Sequence, residues 1–221
     1  MSATHVKNQA EAVATREVGD KLGVIFESAD EVVVDPLLEA SGGLISMWKS
    51  GFFSLESSDF YQAIVLVDTL LSVKSKCGLV NIYATNDPME KGFLFFYFLS
   101  ATLSSLHIPL IVRGDFNTVK CGEEKVGASV DERSIRTFIN FIQVNALVDL
   151  AMGRKFYTWF RSEPFITACL LDMFLVSPKI LSWFPDLSQC ALQRKLSDHC
   201  PVVMRDYRLE RKGKTFKWFS H

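Results

Sequence analysis

The stretch Gly92–Val112, GFLFFYFLSATLSSLHIPLIV, carries no acidic residue, lysine or arginine, so the chain has to remove it from water. About 20 such residues are enough to cross a bilayer as a helix. Three details favour a protein core instead. Ser100, Thr102, Ser104 and Ser105 interrupt the apolar face, His107 and Pro109 break it, and it runs straight into Arg113 and Asp115. The pattern predicts a buried helix ending near His107–Pro109, followed by a buried strand Leu110–Val112.

Other segments take their form from this one. Ser41-Gly42-Gly43 is the first strong breaker, which sets a boundary near Ala40. Beyond it, Leu44–Trp48, Ala63–Val67 and Leu79–Tyr83 read as strands. Asn86-Asp87-Pro88 reads as a turn able to start the long apolar helix. Ile135, Phe138, Ile139 and Ile142 recur at helical spacing within Ser134–Val144, with capping candidates in Asp131–Ser134. Phe156–Phe160, Leu171–Val176 and Pro201–Met204 are further strand candidates. Strands alternating with helices argue for an α/β chain, or a two-sheet core covered by helices. Before the boundary, residues 1–39 read as mostly helical, with a Val run in Asp30–Asp35 that suits a strand or a helical turn.

Charge divides the chain in the same place. Lys and Arg total 24 against 25 Asp and Glu, which excludes a bulk polycation. Residues 1–40 hold 3 basic and 8 acidic side chains, so the rest is net positive and is the part a polyanion would meet. Arg205–His221 adds six basic and two acidic residues around Phe216, Trp218 and Phe219. Five scattered cysteines with no C-x-x-C pair suit free thiols in a reducing compartment, with no disulfide-linked partner. The polar opening Met1–Gln9 offers no signal segment. The expectation is therefore an intracellular protein of nucleus or cytoplasm, neither secreted nor membrane-bound.

Four pieces carry chemistry. Gly114-Asp115-Phe116-Asn117 follows the apolar strand directly; its acid and amide suit a water-activating or metal-bound site on a phosphate, or simply an Asx turn. Ser197-Asp198-His199-Cys200-Pro201 offers an imidazole beside a carboxylate, or an exposed loop. Asp172 interrupts the apolar run Leu171–Val176 and is costly to bury unpaired, with His199 the obvious partner. Tyr83 ends a strand and leads into a polar turn.

Taken in order, these pieces resemble the endonuclease/exonuclease/phosphatase superfamily, and within it the endonuclease domain of plant non-LTR (LINE-type) retrotransposons. The resemblance runs from Ser41-Gly42-Gly43-Leu44-Ile45 through Gly114-Asp115-Phe116-Asn117-Thr118-Val119 to Ser197-Asp198-His199-Cys200-Pro201. Gly153-Arg154-Lys155-Phe156-Tyr157-Thr158-Trp159 and Trp183-Phe184-Pro185 also fit, and Lys214–Phe219 resembles the start of a linker to a reverse transcriptase. The resemblance implies a four-layer α-β-β-α sandwich over residues 41–204, with an acidic segment 1–40 before it and a basic aromatic tail 205–221 after it. It implies phosphodiester hydrolysis with Mg²⁺ or Mn²⁺ on DNA. Asp115 would position or deprotonate the attacking water, and Asn117 would hold the scissile phosphate. His199 would stabilise the phosphate or act as base, Asp172 would orient it, Asp198 and Asp115 would bind metal, and Tyr83 would serve the leaving side.

The chain departs from that pattern at its beginning. The superfamily opens with two strands that bring an Asn and then a metal-ligating Glu, and neither is found here; Glu27 stands only 14 positions before Ser41. Leu170 and Met173 also replace the residues usual beside Asp172. The expectation is a sandwich lacking its first two strands and a weakened metal affinity. Three readings follow: an active endonuclease, an inert remnant or nucleic-acid-binding module, and a phosphatase of the same superfamily.

Overall fold

The computed structural model describes residues 31–36, 43–48, 55–60, 63–70, 73–84, 94–153, 156–162, 166–194, 197–206 and 218–220. The expected helical segment before residue 31, Glu27, the Asn86–Pro88 turn, Arg154-Lys155 and residues 207–217 lie outside them.

Strands β1 (Glu31–Pro36) and β2 (Gly43–Trp48) pair antiparallel, with Val34 opposite Ile45. The Val run is thus a strand, and its pairing crosses the boundary expected near Ala40. Strands β3 (Leu55–Phe60), β4 (Ala63–Leu70) and β5 (Ser75–Tyr83) are successive antiparallel neighbours. Helix α1 (Phe96–Leu106) then carries the chain to β6 (Leu110–Asp115), parallel to β5. It stops where the sequence predicts, because His107 adopts φ 50° and Pro109 follows. No helix among the described residues is long and apolar enough to cross a membrane.

Beyond β6 come β7 (Lys125–Val126), α2 (Glu132–Val144), β8 (Val148–Asp149), β9 (Met152–Gly153), β10 (Trp159–Arg161), β11 (Thr167–Cys169) and β12 (Asp172–Val176). Helix α3 (Pro178–Trp183) leads to β13 (Leu187–Ala191), β14 (Val202–Asp206) and β15 (Trp218–Ser220). The strand expected over Phe156–Phe160 is confined to Trp159–Arg161. Part of the expected tail belongs to a sheet, since Trp218–Ser220 pairs with Val202–Met204.

Three sheets position the site. One has six strands in the order β3-β4-β5-β6-β12-β8, a second runs β15-β14-β13-β9, and a third, small one runs β10-β11-β7. Period-2 alternation sends the two faces of the large sheet into different cores. Val80, Ile82, Val112, Met173 and Leu175 meet Phe96, Leu99 and Leu103 of α1 and Phe138 and Phe141 of α2. Leu79, Ile111, Phe174 and Val176 face Ile180, Val202 and Met204, burying the large sheet against the second one. Among the described residues, the buried phenylalanines other than Phe174 gather in the helix-covered layer, where the Phe96 and Phe141 ring centroids lie 4.8 Å apart and those of Phe116 and Phe138 4.9 Å. Each such fully buried ring stabilises by about 1.5–3 kcal/mol relative to exposure. Helix α2 opens on Asp131, whose carboxylate accepts from the Arg133 and Ser134 amides.

Candidate active site and metal centre

Strand register gathers the candidate residues. Tyr83 on β5 is level with Asp115 on β6, and Asp115 is opposite Asp172 on β12, so three neighbouring strands end in one polar row. Asp115 and Asp172 are both buried, at 4% and 1% exposure. Two carboxylates so placed repel each other in a low-dielectric setting unless a cation stands between or beside them.

Glycine makes the row reachable. Gly114 has φ 139°, and a Cβ at that position would overlap the Ile82 carbonyl on the neighbouring strand. The chain then turns at Asn117, a non-glycine residue at φ 52°, held by one local and one long-range hydrogen bond. Its backbone N–H donates to Asp115 Oδ1 at 2.8 Å, and its Nδ2 donates to the Ala84 carbonyl at 2.6 Å. The Asx turn and the chemical reading of this tetrapeptide are therefore compatible, because the turn fixes both side chains.

His199 enters from the loop before β14. Its Nδ1 is 2.8 Å from Asp172 Oδ2, and its Nε2 is 3.9 Å from Asp115 Oδ2. Burial alone would lower its pKa, but the bond to Asp172 and the charges of Asp172, Asp115 and Asp198 outweigh that and push it up to about 9. At neutral pH the imidazole of the metal-free site is thus protonated and offers Nε2–H as a donor. Burial, followed by the charges of Asp115 and Asp198, raises the Tyr83 phenol, which keeps its proton.

Asp198 is exposed and stands beside the row rather than in it. Its Oδ2 accepts from Trp159 Nε1 at 2.8 Å, and its carbonyl accepts from the Phe160 amide. The donor atoms that converge within 4.8 Å of one another are those of Asp115, Asp172 and His199. Asp172 Oδ1 is a buried acceptor with no hydrogen-bond partner among the described residues. Buried carboxylate oxygen of this kind suits a hard divalent cation. The residues therefore fit a metal at Asp115 and Asp172, with the exposed Asp198 carboxylate beside them on the same pocket.

Two residues given no role from the sequence hold the site together. Thr158 is fully buried, and its Oγ1 accepts from both the Leu171 and the Asp172 amides, at 3.0 and 2.9 Å. Its carbonyl accepts from Cys200 N at 2.6 Å, and Trp159 forms an isolated bridge with His199. The Thr-Trp dipeptide thereby ties the start of β12 to the histidine loop. Only its place in the quoted Gly153–Trp159 motif could have signalled this. A pocket of about 670 Å³ opens over the site, with Tyr83, Asp115, Asn117, Asp198 and His199 at one end.

No family model matches the sequence, and neither does any curated protein. Solved structures do match. The endonuclease domain of TRAS1, a telomere-specific non-LTR retrotransposon, is similar with a TM-score of 0.59 and 14% identity, over 79% of this chain and 78% of that one. An endonuclease/exonuclease/phosphatase family protein from Bacteroides thetaiotaomicron gives 0.55 and 13%, over 78% and 73%. TDP2 of D. rerio, complexed with a single-stranded DNA product, gives 0.54 and 16%, over 86% and 80%. At these identities the likeness shows the fold: mixed sheets with helices, in the α/β arrangement of endonuclease/exonuclease/phosphatase proteins.

Proposed function

We propose that this chain hydrolyses phosphodiesters of DNA with a divalent metal, Mg²⁺ or Mn²⁺, as an endonuclease of non-LTR retrotransposon type. The observation that carries the reading is the convergence of Asp115, Asp172 and His199 at one strand edge, with the imidazole 2.8 Å from one carboxylate and 3.9 Å from the other. The metal, held by Asp115 with Asp172 or Asp198 beside it, would neutralise phosphate charge and acidify a bound water.

The protein's own groups divide the remaining work. Asp115 orients the attacking water and accepts its proton. Asn117, fixed through Ala84, presents its amide to the scissile phosphate. His199, its Nδ1 held by Asp172, turns Nε2 to the phosphate, either to donate Nε2–H to a phosphate oxygen or to act as base. Asp172 keeps the ring in that orientation, and Tyr83, protonated, donates toward the leaving oxygen.

Metal affinity is the weak point, because the expected ligand glutamate has no counterpart among the described residues. Plasmid nicking tests the reading. Purified chain should nick supercoiled plasmid in Mg²⁺ or Mn²⁺, more strongly at high metal concentration, and Asp115→Ala should abolish it. A folded chain that nicks with neither metal would overturn the proposal in favour of an inert remnant.

A further inference from the structure

The pocket extends well beyond the carboxylates and the histidine, and its far end has the opposite character. Its floor is a small apolar cluster of Val119, Cys169 and Leu171, with Val130, Ile135 and Trp159 packed against it. Lys125 and Arg161 also line it. On the small sheet, Cys169 is paired with Trp159 on one side and Lys125 on the other, and Arg161 is opposite Thr167. Both cations act on one point, for each favours the Cys169 thiolate that burial disfavours. Among the described residues neither makes a salt bridge to a carboxylate; the Arg161 guanidinium instead lies 5.6 Å from the Trp159 ring centroid.

The pocket therefore carries the Asp115 and Asp198 carboxylates at one end and, across its apolar floor, the two cations, with the Asp131 carboxylate that caps α2 also on its lining. Strand geometry sets the separation. Trp159 is bridged to His199, and Arg161 lies two residues further along the same strand face, a step of about 6.6 Å. Lys125 is two strands away from Trp159, at about 9.5 Å. A single phosphate over the metal cluster would leave both cations without a bound anion and most of the volume empty. A cavity of this size belongs in the range of about 300–1,000 Å³ that holds whole organic ligands.

We propose that Lys125 and Arg161 form a second anion subsite, which takes the phosphate next to the scissile one in a polynucleotide, with the intervening nucleoside over Trp159 and the apolar floor. The inference rests on the phosphodiesterase reading and deepens it, because it makes the substrate a polymer with at least two phosphates rather than a small phosphomonoester. Arg161 supplies a planar donor fork and a stacking surface, and Lys125 a point charge on a half-buried stem.

Binding without turnover separates this from the catalytic reading. A fluorescent oligodeoxythymidylate 12-mer is titrated with the full chain in EDTA across a series of salt concentrations. Lys125→Gln and Arg161→Gln should each weaken binding several-fold, and the double variant should flatten the log–log salt slope by about 1.4, as expected for two lost single-strand phosphate contacts. Arg136→Gln, which removes an equal charge from the exposed face of α2, should change neither. Thermal melting confirms that each variant is folded. An unchanged affinity and slope in the folded double variant would overturn the subsite even if the parent nicks plasmid. A flattened slope with no nicking would support the subsite and overturn the hydrolytic reading alone.

Discussion

Thr158→Val removes one oxygen and should unfold more of the protein than any surface change. Thr158 has no exposed surface, and valine matches its shape. Its backbone bonds to Cys169 and Cys200 survive the substitution, but the shared acceptor for the Leu171 and Asp172 amides is lost. Each buried N–H left without a partner costs about 1–3 kcal/mol, and the added buried methyl returns about 1 kcal/mol. The net loss should be about 2–4 kcal/mol, a large part of the roughly 5–15 kcal/mol by which domains are stable. With a urea m-value of about 2 kcal/mol/M, the unfolding midpoint should fall by about 1–2 M. Thr158→Ser keeps the acceptor and deletes a methyl, so it should lose only about 1 kcal/mol. Urea melts by far-UV circular dichroism read all three proteins. A valine variant within about 0.5 kcal/mol of the parent, or a serine variant equally damaged, would refute the claim that this hydroxyl anchors β12.

Gly114→Ala forces a Cβ into the Ile82 carbonyl at φ 139°, and should cost more than about 3 kcal/mol; a thermal midpoint unchanged from the parent would show that the two strands can separate freely there. His199 has its pKa raised to about 9 in the folded protein, so its stabilising contribution is complete below about pH 6.5 and disappears as pH rises through 9. Linkage sets that contribution at up to about 3 kcal/mol, reduced to about 2 kcal/mol by solvent access to the ring. In EDTA, the stability difference between parent and His199→Gln should therefore shrink by that amount between pH 6.5 and 10, and a constant difference would contradict the ion pair. Trp159→Phe keeps a ring but deletes the donor to Asp198. Free Mn²⁺ measured by electron paramagnetic resonance should report about tenfold weaker binding, whereas unchanged affinity would leave Asp198 without a part in holding metal.

What the sequence discloses is local, and what it conceals is long-range. The break at His107–Pro109 and the strand after it are written in consecutive residues, and the structure follows them closely. Asp172 draws notice because it interrupts an apolar run, which is also why a partner had to be sought for it; the structure brings His199 to it from 27 residues away. Strand β3, LESSDF, has no apolar alternation and exists because β4 pairs with it at the sheet edge. Thr158 looks like any strand threonine, since both amides it serves lie 13 and 14 residues further along. The left-handed turn at Asn117 leaves no mark beyond the residue's tolerance of it. The pairing of Glu31–Pro36 with Gly43–Trp48 is not legible where the Ser41-Gly42-Gly43 breaker suggests a boundary near Ala40.

The shared level of Tyr83, Asp115 and Asp172 on three hydrogen-bonded strands has an evolutionary corollary. Loss or gain of one residue within β6 would send Asp115 to the opposite face of the sheet and turn Ile111 and Val112 toward each other's cores. Insertions and deletions there would remove the chemistry and the packing together, so the site can change by substitution but not by sliding. A descendant of this chain could lose these polar side chains one at a time and keep the same register throughout.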